Sequence, residues 1–114
     1  MNKRILIVED DAIIGMLLEE YIDMLGHRCA ATVDRVDDAL AKIAEGGIDA
    51  AVVDVHLADG DVGDAIAAAL SENNIPFLVA TGGFVGETGP AWRGRPILAK
   101  PFTLDDLREG LGRL

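Results

Sequence analysis

Ala50-Ala51-Val52-Val53-Asp54 is the stretch that decides the fold. Apolar residues run without a break into a lone carboxylate. Three other stretches share this form. Ile5-Leu6-Ile7-Val8 runs into Glu9-Asp10-Asp11, Phe77-Leu78-Val79-Ala80 into Thr81-Gly82, and Pro96-Ile97-Leu98-Ala99 into Lys100-Pro101. Short continuous apolar runs are the mark of strands buried on both faces of a parallel sheet. Open α/β sheets bind ligands outside the carboxyl ends of their strands. The conspicuous polar groups of this chain fall at such ends, so one site is expected there, with Asp54 as its reacting group.

Between these strands the pattern changes period. A helix is expected over about 12–25, striped by Ile13, Ile14, Leu17, Leu18, Tyr21, Ile22 and Leu25 and stopped at Gly26. Residues 28–33 alternate weakly and read as a second strand near an edge. Asp34 is placed to cap a helix in which Val36, Leu40 and Ile43 share a face, ending at Gly46-Gly47. The third strand covers 48–53. Asp59-Gly60 turns into an alanine-rich helix with Val62, Ile66, Ala69 and Leu70 inward and Asn73-Asn74 at its exit. The fourth strand is 77–80. The stretch 82–94 holds glycines at 82, 83, 86, 89 and 94 and Pro90, so a full helix is not expected there. One turn near Pro90-Ala91-Trp92 is compatible with proline, and Trp92 reads as a surface-covering side chain. The fifth strand is about 95–99. A last helix starts at Thr103 as N-cap, with Asp105 and Asp106 in its first turn and Leu104, Leu107 and Leu111 inward. Strand and helix alternate about five times, which predicts a parallel sheet with right-handed crossovers and helices on both faces.

The chain has 114 residues, half of them hydrophobic, which suits a single domain over 1–114 with one core. Its formal net charge of -10 argues against unaided binding to nucleic acid or anionic membrane. Cys29 is the single cysteine, so no internal disulfide forms, and it reads as a small buried hydrophobe. No apolar run approaches the ~20 residues of a membrane span. Acidic residues cut the first apolar segment short, so no signal peptide is expected. The expected location is cytoplasmic.

Glu9, Asp10 and Asp54 converge if the first and third strands are neighbours. Three close carboxylates cannot all stay ionised without a cation. Oxygen-only ligands without a His/Cys cluster point to a hard ion such as Mg²⁺. Lys100 adds an ammonium and Thr81 a hydroxyl. A carboxylate nucleophile, a divalent ion, an ammonium and a hydroxyl make a phosphoryl-transfer site, in which catalysis is mostly positioning and charge clamping. In this reading Asp54 attacks. Asp10 and Asp54 hold Mg²⁺, Glu9 orients a metal-bound water, and the backbone carbonyl of His56 is a further ligand. Lys100 and Thr81 clamp the phosphoryl oxygens.

Each residue also has an ordinary reading. A strand-end acid is commonly a helix cap, and Asp11 fits that for the first helix, as Asp59, Asp61 and Asp64 do for the third. Thr81 alone is a turn residue and Lys100 alone a surface charge. The side chains of His27 and His56 read as turn and surface groups. The weight lies in the combination at successive strand ends.

Val8-Glu9-Asp10, Val53-Asp54, Ala80-Thr81-Gly82 and Lys100-Pro101-Phe102 resemble, in order and spacing, the receiver domain of two-component response regulators. The likeness covers essentially the whole chain. It implies the flavodoxin-like (CheY-like) doubly wound sheet of five parallel strands, order 2-1-3-4-5. It implies an acidic pair at Glu9 and Asp10, a phosphoacceptor at Asp54, a switch hydroxyl at Thr81, the lysine at Lys100 and a cis Lys100-Pro101 peptide. The chain departs from the pattern in three places. Ile97 stands where most receivers have Tyr or Phe, so the usual inward-swinging ring is missing. Thr81 and Lys100 are close in sequence, which implies a short or irregular fourth helix. Ala58 and Val62 replace a common proline and glycine. Residues 76–83 look like the "FAT GUY" subgroup of receivers, with Val79 where that signature has a second Phe.

The expected function is that of a stand-alone response regulator. It takes a phosphoryl group from a phosphohistidine of a histidine kinase or phosphotransfer protein onto Asp54, with Mg²⁺, and catalyses its own modification. With no output domain, the signal is expected to leave by contact with a downstream protein. The alternatives are a pseudo-receiver or adaptor that works without phosphorylation, a flavodoxin-like cofactor binder, and a Mg²⁺-dependent phosphohydrolase. The acids after the first strand would repel a flavin phosphate. The hydrolase chemistry usually wants an acid where His56 stands.

Overall fold

The computed structural model of the protein describes residues 3–54, 64–81 and 95–114. The chain runs β1 (Arg4–Val8), α1 (Ala12–Met24), β2 (Arg28–Val33), α2 (Val36–Glu45), β3 (Ala50–Asp54), α3 (Asp64–Glu72), β4 (Phe77–Thr81), β5 (Ile97–Ala99) and α4 (Leu104–Gly112). The strands form one sheet in the order β2-β1-β3-β4-β5, and every pairing is parallel. This is the doubly wound fold that the alternation of elements predicts.

Successive side chains of a strand point to opposite faces, and the two halves of the core follow that alternation. Leu6, Val8, Ala51, Val53, Phe77 and Val79 face α2 and α3, where Ala39, Ile43, Ile66, Ala67 and Leu70 meet them. Ile5, Ile7, Ala50, Val52, Leu78, Ala80 and Leu98 face α1 and α4, against Leu18, Ile22, Leu107 and Leu111. β3 and β4 are buried along their whole length, which is why their sequences show no polar alternation. Each fully buried Leu, Ile or Phe among them contributes about 1.5–3 kcal/mol of transfer free energy.

The helix ends follow local chemistry. Asp11 Oδ1 accepts from the Ile13 and Ile14 amides and caps α1, and Gly26 leaves that helix with φ 84°, a conformation that favours glycine. Thr103 caps α4 in a reciprocal box: its Oγ1 accepts from the Asp106 amide, and its own amide donates to Asp106 Oδ2. The Lys100-Pro101 peptide is cis.

Several expectations need correction. Asp34 does not cap α2. Arg35 occupies that position, with no side-chain hydrogen bond to the helix start, and Asp37 and Asp38 supply the negative charge the first turn favours. Ile13 is not on the inward stripe but 79% exposed; the first turn of α1 instead meets the core through Ile14. Cys29 is exposed, since β2 is the edge strand, and its Sγ lies 3.4 Å from Thr32 Oγ1. Ala67, not Ala69, is the fully buried alanine of α3, although Ala69 still packs against the core. β3 begins at Ala50 and β5 at Ile97, two residues later than the sequence reading placed them. His56, Ala58, the Asp59-Gly60 turn, Asp61, Val62, Gly82-Gly83 and Trp92 lie outside the described residues, as does the expected short or irregular fourth helix. Among the described residues no helix is long and apolar enough to cross a membrane.

Candidate functional site

β1 and β3 are neighbours, so Glu9-Asp10 and Asp54 leave the sheet side by side. Glu9 continues the ladder by one bond, its amide donating to the Val33 carbonyl at 2.9 Å. Asp54 closes β3, paired in register with Ala80 of β4. Thr81 follows Ala80 and ends β4. The Lys100 amide donates to the Thr81 carbonyl at 2.8 Å, which ties the start of the Lys100-Pro101 turn to the end of β4.

Glu9, Asp10 and Asp54 each offer a carboxylate oxygen within 4.8 Å of the others. Glu9 and Asp54 are buried, as is Thr81, and Asp10 is exposed. Lys100 reaches into this cluster. Its Nζ lies 2.5 Å from Glu9 Oε1 and 3.1 Å from Asp54 Oδ2. The Lys100 ammonium is thus the close partner of the buried Glu9 Oε1. Glu9 Oε2 receives the Asp11 amide at a long 3.4 Å.

The electrostatics follow from this crowding. Burial, reinforced by the neighbouring Asp54 carboxylate, raises the Glu9 carboxyl to about 8, against the opposing pull of Lys100. For Lys100, burial acts to lower its pKa, but Glu9 and Asp54 outweigh it and hold the ammonium above its ordinary value. The site therefore keeps its lysine charged and carries more negative groups than one ammonium balances. An oxygen-only donor set with surplus negative charge fits a hard divalent ion.

The structure thus brings together Glu9, Asp10, Asp54 and Lys100, and sets Thr81 at the end of the strand between Asp54 and Lys100. His56 lies outside the described residues. The direct Glu9–Lys100 contact was not foreseen; no spacing rule announces it, because it depends on side-chain length across β3 and β4. The packing that carries the Lys100 turn was also missed. Phe102 is buried and meets Tyr21 of α1 edge-on, ring centres 6.2 Å apart. Ile97, which stands where receivers usually have an aromatic residue, is 58% exposed on β5.

No protein-family model matches the chain. Solved structures do. SdrG from Sphingomonas melonis Fr1 is 43% identical, with a TM-score of 0.87 over 97% of this chain and 94% of that one. Its BeF₃-activated conformation aligns with a TM-score of 0.81 at 44% identity, over 96% and 92% of the two chains. The receiver domain of the response regulator PhyR from Erythrobacter litoralis is 26% identical, with a TM-score of 0.83 over 98% and 88%. Among curated proteins, the swarming motility regulation protein RssB of Serratia marcescens is 32% identical over 109 residues. That match takes in 90% of this chain and 48% of RssB, so the chain spans about half the length of the curated relative. The chain belongs to the receiver domains of response regulators.

Proposed function

We propose that this receiver accepts a phosphoryl group on Asp54 from a phosphohistidine of a partner histidine kinase or phosphotransfer protein, in a Mg²⁺-dependent reaction. One observation carries the reading: the buried Asp54 carboxyl lies against an ammonium at 3.1 Å and within 4.8 Å of two further carboxylates. Asp54 Oδ attacks the phosphorus, the P–N bond breaks, and its electron pair returns to the imidazole of the donor. Lys100 draws charge from the phosphoryl oxygens, and the Thr81 hydroxyl donates to another of them. Glu9, Asp10, Asp54 and the His56 carbonyl are the residues that would hold Mg²⁺. When bound, the ion neutralises the charge shared by the acids and the incoming phosphoryl group.

The phosphorylated aspartate carries roughly two negative charges. Lys100 then has a stronger partner than Glu9, and Thr81 is drawn toward the new oxygens. Through the Lys100–Thr81 backbone bond the event reaches the end of β4 and the start of the 82–94 stretch, a local charge change biasing a neighbouring segment. In this reading the chain acts as a single cytoplasmic domain and its output is contact with a downstream protein. The BeF₃-activated state of SdrG supports the reading by likeness. Incubation with acetyl phosphate tests it. Intact mass should rise by one phosphoryl group only when Mg²⁺ is present, and an unchanged mass would leave a phosphorylation-independent adaptor.

A further inference from the structure

We infer that Glu9, through the reach of its side chain, sets how tightly this site takes a divalent cation, because in the metal-free protein it is locked to Lys100. The inference rests on the proposed function above and adds a positioning role for the first acid of the pair.

One ammonium bridges two buried carboxylates, at 2.5 Å from Glu9 Oε1 and 3.1 Å from Asp54 Oδ2. The Glu9 side chain is 1% exposed and that of Asp54 8%. The Lys100 ammonium, 2.5 Å away, is what compensates Glu9 Oε1 for leaving water. The same two carboxylates, with Asp10, offer the oxygens that converge within 4.8 Å. A divalent cation entering there meets an ammonium already seated on two of its ligands, and like charges at such range repel strongly in a buried site. The Lys100–Glu9 contact must therefore open before the cation is held. Apparent affinity falls by the fraction of molecules in which the lock is closed.

The reach of glutamate is what closes it. Glu9 leaves the end of β1 and touches a lysine carried by the far end of β5, with β3 and β4 between them. An aspartate at the same place keeps the charge but is one methylene shorter, so the ammonium is left to Asp54 alone. The substitution separates reach from charge, which removal of the carboxylate or of the lysine cannot do.

The experiment compares the full chain with Glu9→Asp, using Mg²⁺ titration by calorimetry and the melting temperature of the metal-free protein. Glu9→Asp should bind Mg²⁺ about three- to tenfold more tightly, which is about 0.7–1.4 kcal/mol, and its metal-free form should melt lower. Equal or weaker Mg²⁺ binding by Glu9→Asp overturns the lock. Nitrogen-15 spectra of the Lys100 ammonium in the unaltered protein give a second readout that needs no variant. Its signal should shift and exchange faster with water as Mg²⁺ is added, and a signal unmoved at saturation overturns the inference. Phosphorylation of the unaltered protein is measured separately. If that occurs while the lock fails these tests, only the lock is lost; if neither Mg²⁺ binding nor phosphorylation occurs, the function on which it rests falls as well.

Discussion

Lys100 Nζ lies 3.1 Å from Asp54 Oδ2, although the two residues are 46 positions apart. β4 separates their strands, so the lysine spans one strand to reach the aspartate and a second, β3, to reach Glu9. The cis peptide that follows and the packing of Phe102 against Tyr21 accompany that reach. Parallel strands deliver the acids to one end of the sheet, and the lysine supplies the cation that lets two of them be buried.

Replacing that lysine should show how much the bridge contributes. Removing one partner of a buried ion pair leaves an uncompensated charge and commonly costs about 3–5 kcal/mol. Protonation of Glu9 relieves part of this. Lys100→Met should lose about 2–4 kcal/mol in urea denaturation at pH 8 without metal, and less as pH is lowered. A variant as stable as the parent at pH 8 would contradict the bridging role.

The raised Glu9 carboxyl makes stability depend on pH in a defined direction. Its value is about 8 in the folded protein against 4.5 for an ordinary glutamate. Between these values the folded state holds a proton that the unfolded chain has released, so stability falls as pH rises through that window. Below it Glu9 brings no such penalty, and above about 8 the loss is complete. The raised Lys100 value acts only at more alkaline pH, where loss of its charge removes stability in turn. Metal-free melting temperatures should therefore decline from pH 5.5 to 8.5, and Mg²⁺ should flatten the decline. A metal-free curve that rises over this range would refute the assignment of a protonated Glu9.

Asp11 adjoins the acidic pair yet caps α1 through the Ile13 and Ile14 amides. Asp11→Ala should therefore cost about 1 kcal/mol of stability and leave Mg²⁺ affinity within about twofold, a difference of roughly 0.4 kcal/mol. A tenfold loss of Mg²⁺ binding with unchanged stability would instead make Asp11 part of the cation site.

What the sequence revealed was governed by how local each cause is. β1 and β2 could be located because the unbroken apolar run Ile5–Val8, and the Gly26 and Asp34 that bracket the weaker pattern of β2, are local signals. The site followed from parallel connectivity, which carries Glu9, Asp10, Asp54, Thr81 and Lys100 to one end of the sheet. Ile13 misled because helical periodicity tells which face is apolar but not which of its residues meet the core. Asp34 looked like a cap by residue type, whereas the turn leaving β2 fixed the helix start one residue later. Cys29 reads as buried although its strand reads as near an edge, because small apolar neighbours do not reveal how little covers an edge strand. The Glu9–Lys100 contact was invisible for a related reason: it is set by side-chain reach across two intervening strands.

The proposed function stands on Asp54 as the phosphoacceptor. The most direct measurement is fragment-ion mass spectrometry of the protein after reaction with acetyl phosphate and Mg²⁺, run beside Asp54→Asn. A single added phosphoryl group should be located on Asp54 and be absent from the variant. A phosphoryl group retained by Asp54→Asn, or located on another residue of the unaltered protein, would contradict it.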